Sequence, residues 1–303
     1  MSEGVGYFIG SFHPKNIVLA TDFFESSRLA LDYAVALSHH FGSTLTIMHA
    51  FELPYEAEEA ELIGRRPSVS RKVALARLEA FATGVRRLGI TVNLDLRDGD
   101  PCTTVLKSAA ENHCDLLVIG THGIYRGVHH LVIGSNAEMI LHATHCPTLT
   151  VGRHVLGGID LDFTIEDILV ISDPTLGNLN PAILALQLGE EFGAPVELLH
   201  LSSSNQDSDR VLGDGLALRC GNVPAPFASR VNPDWRSSRF HCDRMFSAED
   251  IIRRAETSRN SLIVAGVHSL SRIDRHLHSS FAFELAARAA SPLLSVPSAA
   301  IEP

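Results

Sequence analysis

The chain has 303 residues, 45% hydrophobic and 20% charged, a globular composition with enough apolar side chains to build full cores and too many for a disordered chain. At about 150 residues per core, this length predicts two domains. With 25 Lys+Arg against 35 Asp+Glu the formal charge is -10, and no basic run interrupts it; a nucleic-acid or anionic-membrane surface is excluded on that ground, and any anionic ligand must be held locally.

The stretch Met1 to His13 has no basic region followed by an apolar one, and nowhere do about 18 apolar residues run together, so neither an export signal nor a membrane span is expected. Ile17 to Thr21 is the first short β-branched apolar run, with Leu45 to Met48, Val92 to Leu96, Leu116 to Ile119 and Thr148 to Val151 after it; such runs predict buried parallel strands. Helical patterns lie between them. Ala30, Ala34, Leu37 and Phe41 give the first helix one apolar face, and Gly42 stands where a helix C-terminal glycine belongs. The alternation of strand and helix predicts an α/β doubly wound fold with right-handed crossovers. Gly152 to Asp162, with three glycines and no periodicity, reads as the joint between two halves.

Beyond the joint the chain repeats itself. Ile17 to Asp22 (IVLATD) meets Ile168 to Asp173 (ILVISD) at an offset of 151, as do Phe41-Gly42 and Phe192-Gly193, and His49 and His200. Toward the rear the offset is 146: Cys114 to Gly123 (CDLLVIGTHG) faces Asn260 to Ser269 (NSLIVAGVHS). This is an internal duplication whose length difference falls in the centre, near the polar, proline-bearing stretch Asn205 to Ser238. Asn180-Pro181 reads as an N-cap and first-turn proline for the second half's first helix. The predicted domains are residues 12–152 and 163–298.

In a doubly wound sheet, ligands bind beyond the carboxyl ends of the strands where strand order reverses. Two features fall there. Asp22 ends the first strand, and Gly120-Thr121-His122-Gly123 comes after the fourth, with Gly134-Ser135 opening the next helix. Glycines at 120 and 123 allow a tight bend and close approach to a ligand, while Gly134 and Ser135 offer main-chain N–H groups and a hydroxyl at a helix N-terminus, which is an anion site. The same glycines could simply turn the chain, Ser135 could cap its helix, and Asp22 could be a turn-forming carboxylate.

G-x-x-G, an intervening stretch, then G-S, behind a strand and paired with an early V-L-x-T-D, resembles the universal stress protein family, and the resemblance covers nearly the whole chain, twice. It implies two tandem doubly wound domains, each a five-stranded parallel sheet of order 3-2-1-4-5, with Asp22 and Gly120 side by side. It also implies an adenine-nucleotide site for ATP, with or without Mg. Ala20, Thr21, Asp22 and Ala50 would hold the adenosine end, and Gly120, Gly123, Gly134 and Ser135 the phosphates; His122, inside the glycine loop, could touch a phosphate when protonated or be an ordinary loop histidine. Stress-linked binding or signalling is the implied role, the last strands of the two halves would meet as an intramolecular pseudo-dimer, and further pairing into a homodimer stays open.

Two departures stand out. The family pattern has nine residues between its second and third glycines and this chain has ten, Ile124 to Ile133, a segment that also contains Arg126. In the second half the corresponding positions read Gly266, Ser269 and Ser279-Ser280, with Asp173 in place of Asp22, so that half is expected to bind ATP poorly or not at all.

The 16 histidines lack the i, i+4 pair and carboxylate of a helical zinc site, and His49 and His200 read as packing or orienting residues. The five cysteines, Cys102, Cys114, Cys146, Cys220 and Cys242, are odd in number without C-x-x-C spacing, so the expectation is a reduced, cytoplasmic protein with no disulfide framework. Walker A, G-x-S-x-G and G-x-G-x-x-G signatures are all missing, so no catalytic residue is assigned and any ATP hydrolysis should be slow.

Overall fold

The computed structural model describes residues 11–51, 71–121, 133–155, 161–172, 180–200, 239–241, 247–258, 260–267 and 278–297. The chain divides into two compact units, His13–Phe163 and one built on Thr164–Pro303.

In the first unit, strand and helix alternate: β1 (Asn16–Ala20), α1 (Glu25–Phe41), β2 (Thr44–Phe51), α2 (Arg71–Arg86), β3 (Val92–Asp98), α3 (Pro101–Glu111), β4 (Leu116–Gly120), α4 (Ser135–Ala143) and β5 (Thr148–Val151). All pairings are parallel, in the order β3-β2-β1-β4-β5, which is the expected 3-2-1-4-5. Ile17, Val18 and Leu19 of the central strand are wholly buried, as a parallel strand covered on both faces requires; this is why the strand reads as an unbroken apolar run.

Helix α1 buries Ala30, Ala34, Leu37 and Phe41 on one face. It stops at Gly42, whose φ of 66° is the left-handed conformation that a side chain would strain. Helix α3 starts with equal clarity: Asp100 accepts from the Thr103 N–H at 2.9 Å, and Pro101 occupies the first turn, where a missing N–H costs nothing. Phe163, just past the joint, falls in the first unit and packs edge-on against Tyr33 of α1 with ring centroids 5.5 Å apart.

The second unit contains β6 (Asp167–Ser172), α5 (Asn180–Phe192), β7 (Val196–His200), β8 (Arg239–His241), α6 (Ala248–Ala255), β9 (Ser261–Val267), α7 (His278–Arg288) and β10 (Leu293–Pro297). Its sheet is also parallel, ordered β8-β7-β6-β9-β10. Gly193 ends α5 at φ 65°, matching Gly42, so the repeated Phe-Gly pair stops the first helix of both halves. The helix already includes Asn180, one residue earlier than the N-cap reading. Helix α6 opens with a reciprocal capping box, in which Ser247 and Asp250 each accept from the other's main-chain N–H. The stretch Asn205 to Ser238 lies outside the described residues.

Candidate functional site

Strand order in the first unit reverses between β1 and β4, and the register sets Ala20 across from Ile119, so the chain leaving β1 at Thr21-Asp22 and the chain leaving β4 at Gly120-Thr121 emerge side by side. Thr21 extends the pairing on the other flank by donating its N–H to Met48 O at 2.9 Å.

The chain leaves β1 through a tight turn built by side chains. Thr21 Oγ1 accepts from the Phe23 N–H and Asp22 Oδ1 from the Phe24 N–H, each at 3.0 Å. A hydroxyl relay locks the entry to α1: Thr21 Oγ1 donates to Ser27 Oγ at 3.0 Å, and Ser27 Oγ donates to Phe24 O at 2.9 Å. Phe23 carries a φ of 65°, a conformation that costs a residue other than glycine of order 1–3 kcal/mol, offset here by these bonds and by burial of the ring. Asp22 is thus the turn-forming carboxylate that its position allowed, and it lies half-buried at the carboxyl end of the sheet.

Around Phe23 sit three residues that the sequence did not single out for the site or left as a packing histidine. The His49 ring lies 4.4 Å from the Phe23 ring, Phe81 of α2 packs against it at 5.6 Å, and the Arg77 guanidinium stands 5.6 Å over its face. His49 donates its Nδ1–H to Thr21 O at 2.7 Å, an orienting role that fixes the tautomer because a carbonyl can only accept. Burial lowers the His49 pKa below its ordinary value; the Thr21 carbonyl and the Asp22 charge oppose that shift, and Arg77 adds to it.

Gly120 is glycine for a reason of packing. A Cβ there would stand 2.8 Å from the main-chain carbon and the hydroxyl of Ser26 and 2.8 Å from the Ser27 nitrogen. The first turn of α1 therefore occupies the space that a side chain at 120 would need, the close helix–strand contact for which glycine is used at such turns.

From Thr121, which donates to Val151 O at 3.1 Å, the chain comes back at Gly134, whose N–H donates to Thr121 O at 2.7 Å. The ten-residue spacing thus still returns the third glycine to the end of β4. Gly134 is the N-cap of α4 and makes no side-chain cap bond; Ser135 is the exposed first helical residue and does not cap the helix. The amides of that first turn are a donor set suited to an anion, with Glu138 in the same turn offsetting part of the helix's positive end.

Of the expected site residues, Ala20, Thr21, Asp22, Gly120, Gly134 and Ser135 gather at the β1 and β4 ends. Ala50 lies further along β2, paired with Arg97. His122 and Gly123 lie outside the described residues, as do Asp173 and Ser269 of the second half.

The Universal stress protein family model matches residues 13–152. A universal stress protein of Thermus aquaticus, from the 3′ region of its QAH/OAS sulfhydrylase, is 33% identical over 142 residues, spanning 45% of this chain and 98% of the relative. The chain belongs to the universal stress protein family. A further family member, from Methanocaldococcus jannaschii, is 26% identical over 144 residues, covering 46% of this chain and 82% of that protein. The crystal structure of a universal stress protein from Archaeoglobus fulgidus shares the fold at a TM-score of 0.63 and 14% identity, over 95% of this chain and 97% of that one. Among the described residues, no helix is long and apolar enough to cross a membrane.

Proposed function

We propose that this universal stress protein is a nucleotide-responsive module whose first unit binds one adenine nucleotide, ATP with or without Mg, beyond the carboxyl ends of β1 and β4. The observation that carries the reading is the return of Gly134 to Thr121, which sets the α4 N-terminus, without a side-chain cap, next to the Asp22 turn. The donor set fits the group: main-chain N–H dipoles suit phosphate oxygens, and a half-buried carboxylate suits ribose hydroxyls. Asp22, with the main chain at Ala20, Thr21 and Ala50, would hold the nucleoside; Gly120, His122, Gly123 and Ser135 would hold the phosphates, with Gly134, whose own N–H is taken by Thr121 O, letting the main chain come close to them. The second half, with Ser269 and Ser279 in place of two of the three glycines, is proposed to have lost its phosphate cradle.

Binding rather than turnover is the proposed activity. A hydrolase needs a positioned base or a metal carboxylate pair, and Asp22 Oδ1 is engaged in its own turn. Isothermal titration of the full chain with Mg-ATP tests the reading: the wild type should titrate and a Gly123→Val variant should not. Equal heats from both would remove the glycine loop from the site. Phosphate release that is fast, and lost in the same variant, would replace the binder with a hydrolase.

A further inference from the structure

At the opposite end of β4 from the Gly120 turn, about 20 Å away by strand rise, two thiols meet. Cys114 lies three residues before Leu117 and Cys146 two residues before Thr148, and Leu117 and Thr148 are partners in the β4–β5 ladder. Both cysteines are half-buried, and neither is in a disulfide. Their side chains hydrogen-bond each other. The main chain holds the pair in place: Cys114 N–H donates to Ala109 O at 2.9 Å, Asp115 N–H to Asn16 O at 2.9 Å, and Leu117 N–H to Pro147 O at 3.0 Å. Continuing the ladder sets Cys146 across from Asp115, next to Cys114 in the chain, so the two cysteines stand on a diagonal between the starts of neighbouring strands that run about 4.8 Å apart.

The two sulfurs differ in environment. Cys146 Sγ receives the Cys114 S–H and has Thr144 Oγ1 at 3.4 Å, and these hydrogen bonds hold its thiol below the ordinary range. Cys114, giving up its hydrogen bond to that sulfur and buried beside it, is pushed up. Cys102 is a different case: its burial, with Asp100 close by, keeps it a neutral, slow thiol.

We propose that Cys114 and Cys146 form a hydroperoxide-responsive dithiol that closes to a disulfide across the start of β4 and β5. Cys146 thiolate attacks one peroxide oxygen; the O–O bond breaks, the other oxygen leaves as an alcohol or water after taking a proton, and Cys146 becomes a sulfenic acid. Cys114 sulfur then attacks Cys146 sulfur; the S–S bond forms, the S–O bond breaks, and the departing hydroxide takes the Cys114 proton as water. Two thiols lose two electrons in total and one hydroperoxide gains them.

The test uses the full chain, treated with an equimolar amount of hydrogen peroxide, alkylated with a maleimide and digested with trypsin without reduction. Cys114 and Cys146 fall in separate peptides, residues 108–126 and 127–153, and Cys102 in residues 98–107. The expected product is the 108–126 and 127–153 pair joined with the loss of two hydrogens, while the 98–107 peptide is recovered alkylated. A Cys114→Ser variant should instead leave a Cys146 sulfenic acid that dimedone labels, a label absent from the wild type. Recovery of both wild-type peptides unlinked, whether alkylated or over-oxidised singly, overturns the proposal, and that readout does not depend on any variant folding.

Discussion

His49 donates its Nδ1–H to the main-chain carbonyl of Thr21 at 2.7 Å, tying the end of β2 to the turn that carries Asp22. The ring is held neutral because burial lowers its pKa, against the opposing pull of Thr21 and Asp22. Above the ordinary histidine value of about 6.5 the ring is neutral both folded and unfolded, and its contribution to stability is intact. Below it the unfolded chain takes up the proton first, so stability falls with pH until the lowered folded pKa is passed. Denaturant unfolding at about pH 7 and about pH 5 should show a smaller loss in a His49→Gln variant than in the wild type. Equal losses would show that His49 titrates alike in both states.

Gly120→Ala should destabilise the first unit by about 1–3 kcal/mol, the usual cost of forcing an extra methyl into filled space. The clash is with main-chain atoms of Ser26 and Ser27 as well as the Ser26 hydroxyl, so trimming the side chain in a Ser26→Ala, Gly120→Ala double variant should not restore stability. Full rescue by that second change would mean that the hydroxyl alone fills the space. Urea midpoints of the four proteins decide between the two.

Glu138 stands in the first turn of α4, where its charge offsets the helix end proposed to hold phosphate. Glu138→Gln should tighten Mg-ATP binding roughly twofold to fivefold, the effect of about 0.5–1 kcal/mol at a helix terminus. Calorimetric titration at low and moderate salt checks both the direction and the expected weakening of the effect as salt screens it. An unchanged affinity would separate α4 from the phosphate site.

Much of the first unit was legible because its signals are local. The run Ile17 to Thr21 becomes β1 one residue earlier, at Asn16–Ala20, with Ile17, Val18 and Leu19 wholly buried. The Phe41-Gly42 stop is readable because only the left-handed φ of a helix end favours glycine there, and Gly193 repeats it. The 3-2-1-4-5 order came from family resemblance, since no local pattern states which strands neighbour each other. The glycines are only partly legible as ligand-facing. Gly120 is pressed by α1, a contact between residues nearly a hundred apart in sequence that leaves no trace in spacing. Phe23 with Arg77 and Phe81 escaped for the same reason: α2 reaches β1 only in the fold. Ser135, readable as a cap, proved to be the residue after one, because Gly134 already has the extended conformation of an N-cap. The two cysteines share no motif; adjacency of β4 and β5 is what pairs them.

On the proposed function, one nucleotide binds per chain, in the first unit. Native mass spectrometry of the full chain, before and after addition of Mg-ATP, reads ligand count and oligomeric state together. One ATP per chain, lost on Gly123→Val, is the predicted result. Two per chain would contradict the loss of the second site, and none under conditions that keep the chain folded would contradict nucleotide binding itself.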